Sequence, residues 1–144
     1  MQSFSYPAIL KPEKKGFTVI FPDIPEAITC GDDRKDAMVQ AADCLDEAIA
    51  GRIADELEIP KASSLKRGQV MVPVPGLMAA KAALYLAMRE AGVTNTELAR
   101  RLKCDEKEVR RMLDPRHPTK LPRLERALEA LGKMLVVAVD SPAA

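Results

Sequence analysis

The sequence predicts an α+β protein of two domains, and three observations support this fold class. Apolar and polar residues alternate with a period of two near the N-terminus, which is typical of strands. A long pattern of helical period follows, and after Val74-Pro75-Gly76 the period is helical almost to the end. We therefore expect a small sheet with one helix over residues 1–75, and an all-helical domain over residues 76–144 that ends in a short strand.

Four strands are predicted in the first domain. Residues 4–10 alternate in polarity, and a polar loop of about six residues leads to a run of high β propensity at 17–21, so the two runs predict a hairpin. Residues 27–30 predict a third short strand. Residues 70–74 alternate as a fourth strand, which its prolines confine to a sheet edge or to irregular pairing.

One long helix is predicted between the third and fourth strands. Asp33 has the side chain of a helix N-cap, and Asp36 lies three residues further on, where an acid favours the positive end of the helix dipole. From Ala37 onward the apolar residues recur at the spacing of one helical face. Gly51 weakens the last turn, and Pro60 ends any helix that remains.

The second domain is predicted to consist of four helices and a final strand. The helical segments are 77–90, 94–102, 106–113 and 121–131. Thr94 and Glu97 fit a capping box at the start of the second segment, and Asp105 is placed to cap the third. The apolar run at 134–139 reads as a strand with two apolar faces.

Composition and charge limit the possible functions. The three cysteines are far apart and the single histidine stands alone, so we expect a cytoplasmic protein without a metal or other cofactor. The net charge of +1 conceals an asymmetry. Residues 1–60 contain six basic and twelve acidic residues, whereas residues 77–144 contain thirteen basic and nine acidic ones. Two halves of opposite net charge suggest two partners that also differ in the sign of their charge.

The segment from 94 to 113 has the pattern of a helix-turn-helix, with two short helices and a connector of about three residues. Ala99 is small where the second helix must approach, and Lys103 stands where glycine is usual, so the turn is expected to hold a less relaxed backbone. The second helix of such a unit enters the major groove, where arginine and lysine donate to guanine and glutamate accepts from cytosine. The alternative is a structural hairpin with a solvated charged face. The residues predicted to contact DNA are Asn95, Thr96, Arg100, Glu106, Lys107, Glu108, Arg110, Arg111 and Lys120.

Short motifs in both predicted domains match a known family. In the first domain they are YPAIL at 6–10, GFTVIFPDIP at 16–25 and TCGDD at 29–33. In the second domain they are KAALY at 81–85, ELARRL at 97–102 and LEALG at 128–132. On these motifs, residues 4–62 resemble the N-terminal domain of HicB antitoxins from toxin–antitoxin systems. Residues 70–139 are similar to the helix-turn-helix extension of one branch of that family.

The resemblance implies two activities. The first domain would have a degenerate RNase H-like fold and would block a HicA-type toxin, a small basic protein that cleaves mRNA; an acidic surface fits such a partner. The second domain would bind the operator of its own operon as a dimer and repress it. Candidate toxin contacts are Phe21, Asp23, Glu26, Asp32 and Asp33. Because an apolar strand at a chain end needs a partner, the candidate dimer contacts are Leu135, Val137 and Val139.

Two other functions stay open. One is a helix-turn-helix transcription factor whose first domain senses a small molecule, although the sequence has no glycine-rich phosphate loop to support it. The other is a metal-dependent nuclease, because the RNase H-like fold can hold metal ions between carboxylates. Asp23, Glu26, Asp32 and Asp33 are the candidate ligands by type. Turn formation and helix capping account for all four acids, so we predict that the chain is not an enzyme.

Overall fold

The computed structural model describes residues 1–141, which form four strands and five helices. The elements are β1 (Ser5–Pro12), β2 (Phe17–Ile20), β3 (Ile28–Gly31), α1 (Arg34–Ala54), β4 (Val70–Pro73), α2 (Gly76–Ala91), α3 (Asn95–Leu102), α4 (Glu106–Leu113) and α5 (Leu121–Glu129). The predicted α+β class is confirmed, whereas the RNase H-like relationship stays a prediction. None of the helices within residues 1–141 combines the length and apolar character that a membrane span requires.

The four strands form one antiparallel sheet in the order β3-β2-β1-β4. The loop between β1 and β2 is shorter than predicted, because Lys11 and Pro12 pair with Thr18 and Phe17 and so extend the hairpin. β4 lies at the edge of the sheet, as its prolines predicted, since an edge strand can do without one row of backbone N–H donors. One face of the sheet packs against the core, as Tyr6 of β1 shows, since this residue is only 2% exposed.

The start of α1 is fixed by two aspartates. The Asp33 carboxylate accepts a hydrogen bond of 2.7 Å from the Asp36 N–H, and the Asp36 carboxylate accepts one of 2.8 Å from the Asp32 N–H. The predicted N-cap is therefore confirmed. Close behind it, Gly31 approaches the helix backbone so nearly that a Cβ atom there would lie 2.3 Å from the Ala37 nitrogen.

The described chain divides into two compact units, which we call unit 1 and unit 2. Unit 1 comprises Met1–Arg52 and Pro60–Pro75, and unit 2 comprises Ile53–Ile59 together with the chain from Gly76 onward. Within unit 2, the Tyr85 hydroxyl donates 2.6 Å to the Leu57 carbonyl. Because the acidic segment Ile53–Ile59 groups with unit 2, unit 1 holds nine basic and nine acidic residues, so the units do not keep the charge separation seen along the sequence.

Unit 2 has its own apolar core, to which all four of its helices contribute. The buried side chains are Ala80, Leu84, Ala87, Met88, Leu98, Ala99, Val109, Met112, Leu124, Ala127 and Leu128. The predicted strand at 134–139 is wrong: no strand follows β4 in the described chain. An apolar run forms a strand only where another strand pairs with it, and the described part of unit 2 offers none. Leu135 packs partly against the core, while Val137 and Val139 are 73% and 97% exposed.

Candidate functional surfaces

The segment predicted to be a helix-turn-helix consists of α3, the connector Lys103–Asp105 and α4. Lys103 has a φ of 55°, the left-handed conformation that glycine adopts without strain. The strained turn expected at this position is therefore present. Its backbone is held by two hydrogen bonds to the end of α3, from Lys103 N to Arg100 O at 3.3 Å and from Cys104 N to Ala99 O at 3.0 Å. The turn thus fixes where α4 begins.

Both α3 and α4 start at capping side chains. The Thr94 hydroxyl accepts 3.2 Å from the Glu97 N–H, and the Asp105 carboxylate accepts 3.0 Å from the Lys107 N–H. The second half of the predicted capping box is absent, because the Glu97 carboxylate binds Arg100 at 2.7 Å and Arg101 at 3.1 Å. Hydrogen bonds from these two guanidinium groups lower the pKa of Glu97 to about 2.

The predicted DNA contacts lie on or beside α4, but not all of them are free. Glu106 binds Arg110 at 3.0 Å, and Glu108 binds Arg123 of α5 at 2.7 Å. The hydrogen bond from Arg123 lowers the pKa of Glu108 and keeps it ionised. Among the predicted DNA contacts, the cations that are exposed and form no ion pair within the described chain are Lys107, Arg111 and Lys120. Thr96 and Arg100 are exposed on α3, and Asn95 is half-buried.

A buried lysine supports this face, and sequence reasoning did not find its role. Lys81 of α2 is 0% exposed. Its Nζ atom donates to the carbonyl oxygens of Arg111 at 3.1 Å, Asp114 at 2.5 Å and His117 at 2.7 Å, and to the Thr119 hydroxyl at 3.0 Å. Burial lowers the pKa of the Lys81 ammonium, while the Asp114 carboxylate acts in the opposite direction. The only sequence signal was one lysine within the apolar pattern of α2.

The predicted toxin contacts differ in their availability. Phe21 is 2% exposed and belongs to the core. It is therefore not available to a partner and is no longer a candidate toxin contact. Asp23 is half-buried and accepts 2.8 Å from the Ser63 N–H, which ties down the segment before β4. Glu26 forms a bidentate ion pair with Arg52 at 2.6 and 2.8 Å, and this guanidinium lowers the pKa of Glu26.

The remaining toxin candidates do not share one surface. Asp32 and Asp33 precede the first residue of α1, whereas Glu26 binds Arg52 near its last turn. Arg52 lies eighteen positions after Arg34, the first residue of α1, which is about 27 Å along the helix at 1.5 Å per residue. The acids named as candidate metal ligands are the same ones, and no three His, Cys, Asp or Glu side chains converge on a common point within residues 1–141. They therefore do not form the site that two-metal chemistry requires.

The exposed face of α1 adds acids that were not among the predicted toxin contacts. Val39, Asp43 and Glu47 succeed one another at four-residue intervals and are all exposed. Asp46 lies beside them, half-buried, and its pKa is raised by burial and then by the charges of Glu47 and Asp43. Between Asp36 and Gly51, α1 contains no basic residue, so this stretch presents negative charge around an apolar side chain.

Comparison with known proteins connects these surfaces to a family. The sequence profile of the family described as "HicB_like antitoxin of bacterial toxin-antitoxin system" matches residues 5–83. The chain belongs to this antitoxin family. Antitoxin HicB 2 of Photorhabdus laumondii subsp. laumondii is 39% identical over 134 residues, covering 93% of this chain and 95% of that protein. Antitoxin HicB of Escherichia coli strain K12 is 37% identical over 131 residues, covering 90% of this chain and 95% of that protein.

The predicted resemblance to HicB antitoxins is thus confirmed, and the chain is an antitoxin of a toxin–antitoxin system. The profile match covers unit 1 and ends within α2, so α3 and α4 lie beyond it. Full-length relatives extend across this region: Antitoxin HicB 1 of the same Photorhabdus strain is 36% identical over 141 residues, covering 97% of this chain and 90% of that protein.

Proposed function

We propose that the chain neutralises a HicA-type mRNA-cleaving toxin through unit 1 and represses its own operon by binding operator DNA through α3 and α4. The observation that carries the second activity is a pair of capped helices joined by a short turn, the second of which exposes Lys107, Arg110 and Arg111. The first activity is supported by the antitoxin family to which unit 1 belongs. We infer no enzymatic reaction for the chain.

DNA binding is supported by the arrangement of charge on α4. Lys107 and Arg111 are four residues apart and therefore lie on one side of the helix, one turn from each other. Arg110 is held by Glu106, an exposed ion pair of the kind that contributes little to stability and can exchange for a base edge or a phosphate. Arg100 on α3 and Lys120 just before α5 are also exposed and would neutralise phosphates.

We expect Arg111→Ala and Arg110→Ala to weaken operator binding and to leave toxin binding unchanged. Loss of a bidentate base contact costs about 1–3 kcal/mol, whereas loss of a phosphate contact lowers the salt slope by about one. Titration of a labelled duplex from the region upstream of the gene, at several salt concentrations, measures both quantities. Lys14→Ala makes the same charge change at an exposed site of unit 1 and is the control. Wild-type affinity in both arginine variants would mean that another face reads the DNA.

Toxin binding is supported by the carboxylates exposed on unit 1. A toxin that binds RNA phosphates presents cations, and carboxylates that occupy those cations would exclude the substrate. We propose that the contact surface comprises Asp32 and Asp33 together with the exposed acids of α1, Asp43 and Glu47. Asp23 and Glu26 remain within the proposal only as residues that hold the neighbouring loops in place.

Asp32→Lys is expected to weaken toxin binding about tenfold, mainly through the association rate, because a like charge would face the toxin's cations. Asp32 suits this test because its carboxylate has no hydrogen-bond partner within the described chain; only its backbone N–H is used. Biolayer interferometry with the immobilised toxin gives both rate constants. Glu125→Lys, an exposed reversal on α5, controls for net charge. Equal association rates for wild type and Asp32→Lys would remove the start of α1 from the contact surface.

The apolar C-terminal residues support a homodimer. Leu135 is anchored on the core of unit 2, while Val137 and Val139 extend from it with most of their surface in water. A helix-turn-helix protein commonly reads two half-sites through a two-fold dimer. A second copy that covers these valines would remove the exposed apolar surface and supply the second reading helix, in a self-complementary contact.

A further inference from the structure

The hydrogen bonds around Lys81 form a closed network. The ammonium has three protons and four acceptors within 3.1 Å. Its three carbonyl acceptors, those of Arg111, Asp114 and His117, each also accept a backbone N–H, at 3.2, 3.1 and 2.8 Å. The Thr119 hydroxyl joins the same cluster, 3.2 Å from the Arg111 carbonyl and 2.9 Å from His117 Nδ1. Every buried side-chain nitrogen and oxygen in the described chain has a partner.

This network acts on the end of the reading helix. Lysine is almost never fully buried unless it is paired, so burying it at 0% exposure requires strong compensation. The compensation comes from main-chain carbonyls, which include that of Arg111 in the last turn of α4. Carbonyls of a last helical turn lack partners within their helix and carry its negative partial charge, which an ammonium group neutralises.

We propose that Lys81 is a positioning residue for operator binding, which rests on the DNA-binding function proposed above. It joins the backbone at Arg111 to the segment 114–119, and so fixes two of the exposed cations, Arg111 and Lys120, in one arrangement. A base or phosphate contact needs its side chain held within a few tenths of an ångström, and such precision comes from the residues that support it.

The position of the network distinguishes this role from general stabilisation. The polar network lies next to the apolar core of unit 2 rather than within it: Leu84 and Met88, three and seven residues after Lys81, belong to the core, whereas the groups that Lys81 binds are main-chain carbonyls and a hydroxyl. Asp114, Arg116 and Pro118 of the segment it binds are exposed. Without the ammonium, these carbonyls keep only their local backbone hydrogen bonds, so the segment loses its attachment to α2 while the core stays packed. We therefore expect loss of Lys81 to displace the segment 114–119 more than it destabilises the fold.

Four variants of the full chain test this role. Lys81→Met keeps an unbranched side chain, one heavy atom shorter than that of lysine, and removes its donors. Thr119→Val removes the hydroxyl at nearly constant shape, and Thr119→Ser keeps it. Leu128→Ala opens a cavity in the apolar core of unit 2 and removes none of the network's hydrogen-bonding groups, so it controls for lost stability alone. The melting temperature of each variant is measured first. Amide hydrogen exchange at residues 111–120 and affinity for a duplex from the region upstream of the gene are then measured well below that temperature.

We expect Lys81→Met to bind the duplex about tenfold more weakly, the loss expected of one base contact, with faster exchange at residues 111–120. Thr119→Val should show the same changes to a smaller degree, and Thr119→Ser should match wild type. Leu128→Ala should keep its affinity. If Lys81→Met does not fold, the comparison between Thr119→Val and Thr119→Ser decides.

Two results would overturn the positioning role. One is wild-type affinity in folded Lys81→Met, or in Thr119→Val where Lys81→Met is unfolded. The other is an equal loss of affinity in Leu128→Ala at a comparable melting temperature. If the wild-type chain does not bind the duplex at all, the proposed DNA-binding function is overturned instead. In that case the hydrogen-exchange rates of wild type and Lys81→Met would still differ, which distinguishes this outcome from failure of the positioning role.

Discussion

Gly31→Ala is expected to destabilise unit 1 by about 3 kcal/mol or more, because the new methyl group has no space. A Cβ atom at this position would lie 2.3 Å from the Ala37 nitrogen, 2.4 Å from the Ala37 Cα and 2.8 Å from the Asp36 carbonyl carbon. All three are backbone atoms of α1, so only a shift of the helix relative to β3 relieves the overlap. The change should lower the midpoint of urea unfolding and abolish toxin neutralisation in cells.

Gly51 provides the matched control for this substitution. It lies in α1 as well, but it is exposed and no atom would lie within 4 Å of an added Cβ. Gly51→Ala should therefore stabilise the helix by roughly 0.5–1 kcal/mol, since alanine is the better helix former. A Gly31→Ala protein with an unchanged unfolding midpoint would show that β3 and α1 are not packed as closely as described.

Val137→Lys is expected to convert a dimer into a monomer and to weaken operator binding about 100-fold or more. A lysine within a paired apolar surface would bury a charge without a partner, which costs several kcal/mol. A monomer engages one half-site at a time and loses the gain from linked binding, which is typically 10²–10⁴-fold. Because Val137 is 73% exposed in the single chain, the substitution should leave the fold of unit 2 and toxin binding unchanged.

Light scattering and operator titration together measure this effect. Val137→Thr is nearly the same size and carries no charge, so it should retain most of the dimer and serves as the control. If Val137→Lys has the mass and the operator affinity of wild type, the C-terminal valines do not form the dimer contact.

The structure agrees with the sequence at several features that neighbouring residues decide. Asp33 and Asp105 were identifiable as caps because the N–H groups they bind lie two or three residues along the chain. The turn at Lys103 was expected to be strained because its position between two short helices fixes its conformation. The edge position of β4 followed from Pro73, since proline cannot donate to an inner ladder.

The features that sequence could not supply depend on distant partners. The acceptors of Lys81 lie 30 to 38 residues away, so no local pattern reveals them. The apolar run at 134–139 has the composition of a strand, but in the described chain it finds no strand to pair with. Phe21 reads equally well as a core or an interface residue, and only packing decided that it is buried. Glu97 is a local exception, because Arg100 and Arg101, only three and four residues further on, bind its carboxylate in place of the backbone N–H that the capping box predicted.

The most direct measurement is the RNA-cleaving activity of the toxin with one equivalent of the full chain, for wild type and for the double variant Arg110→Ala, Arg111→Ala. If separate surfaces bind toxin and DNA, both proteins abolish cleavage, while the double variant binds operator DNA about 100-fold more weakly than wild type, as expected for two lost base contacts. Continued cleavage in a several-fold excess of wild type, or loss of inhibition together with operator binding in the double variant, would contradict this division of function.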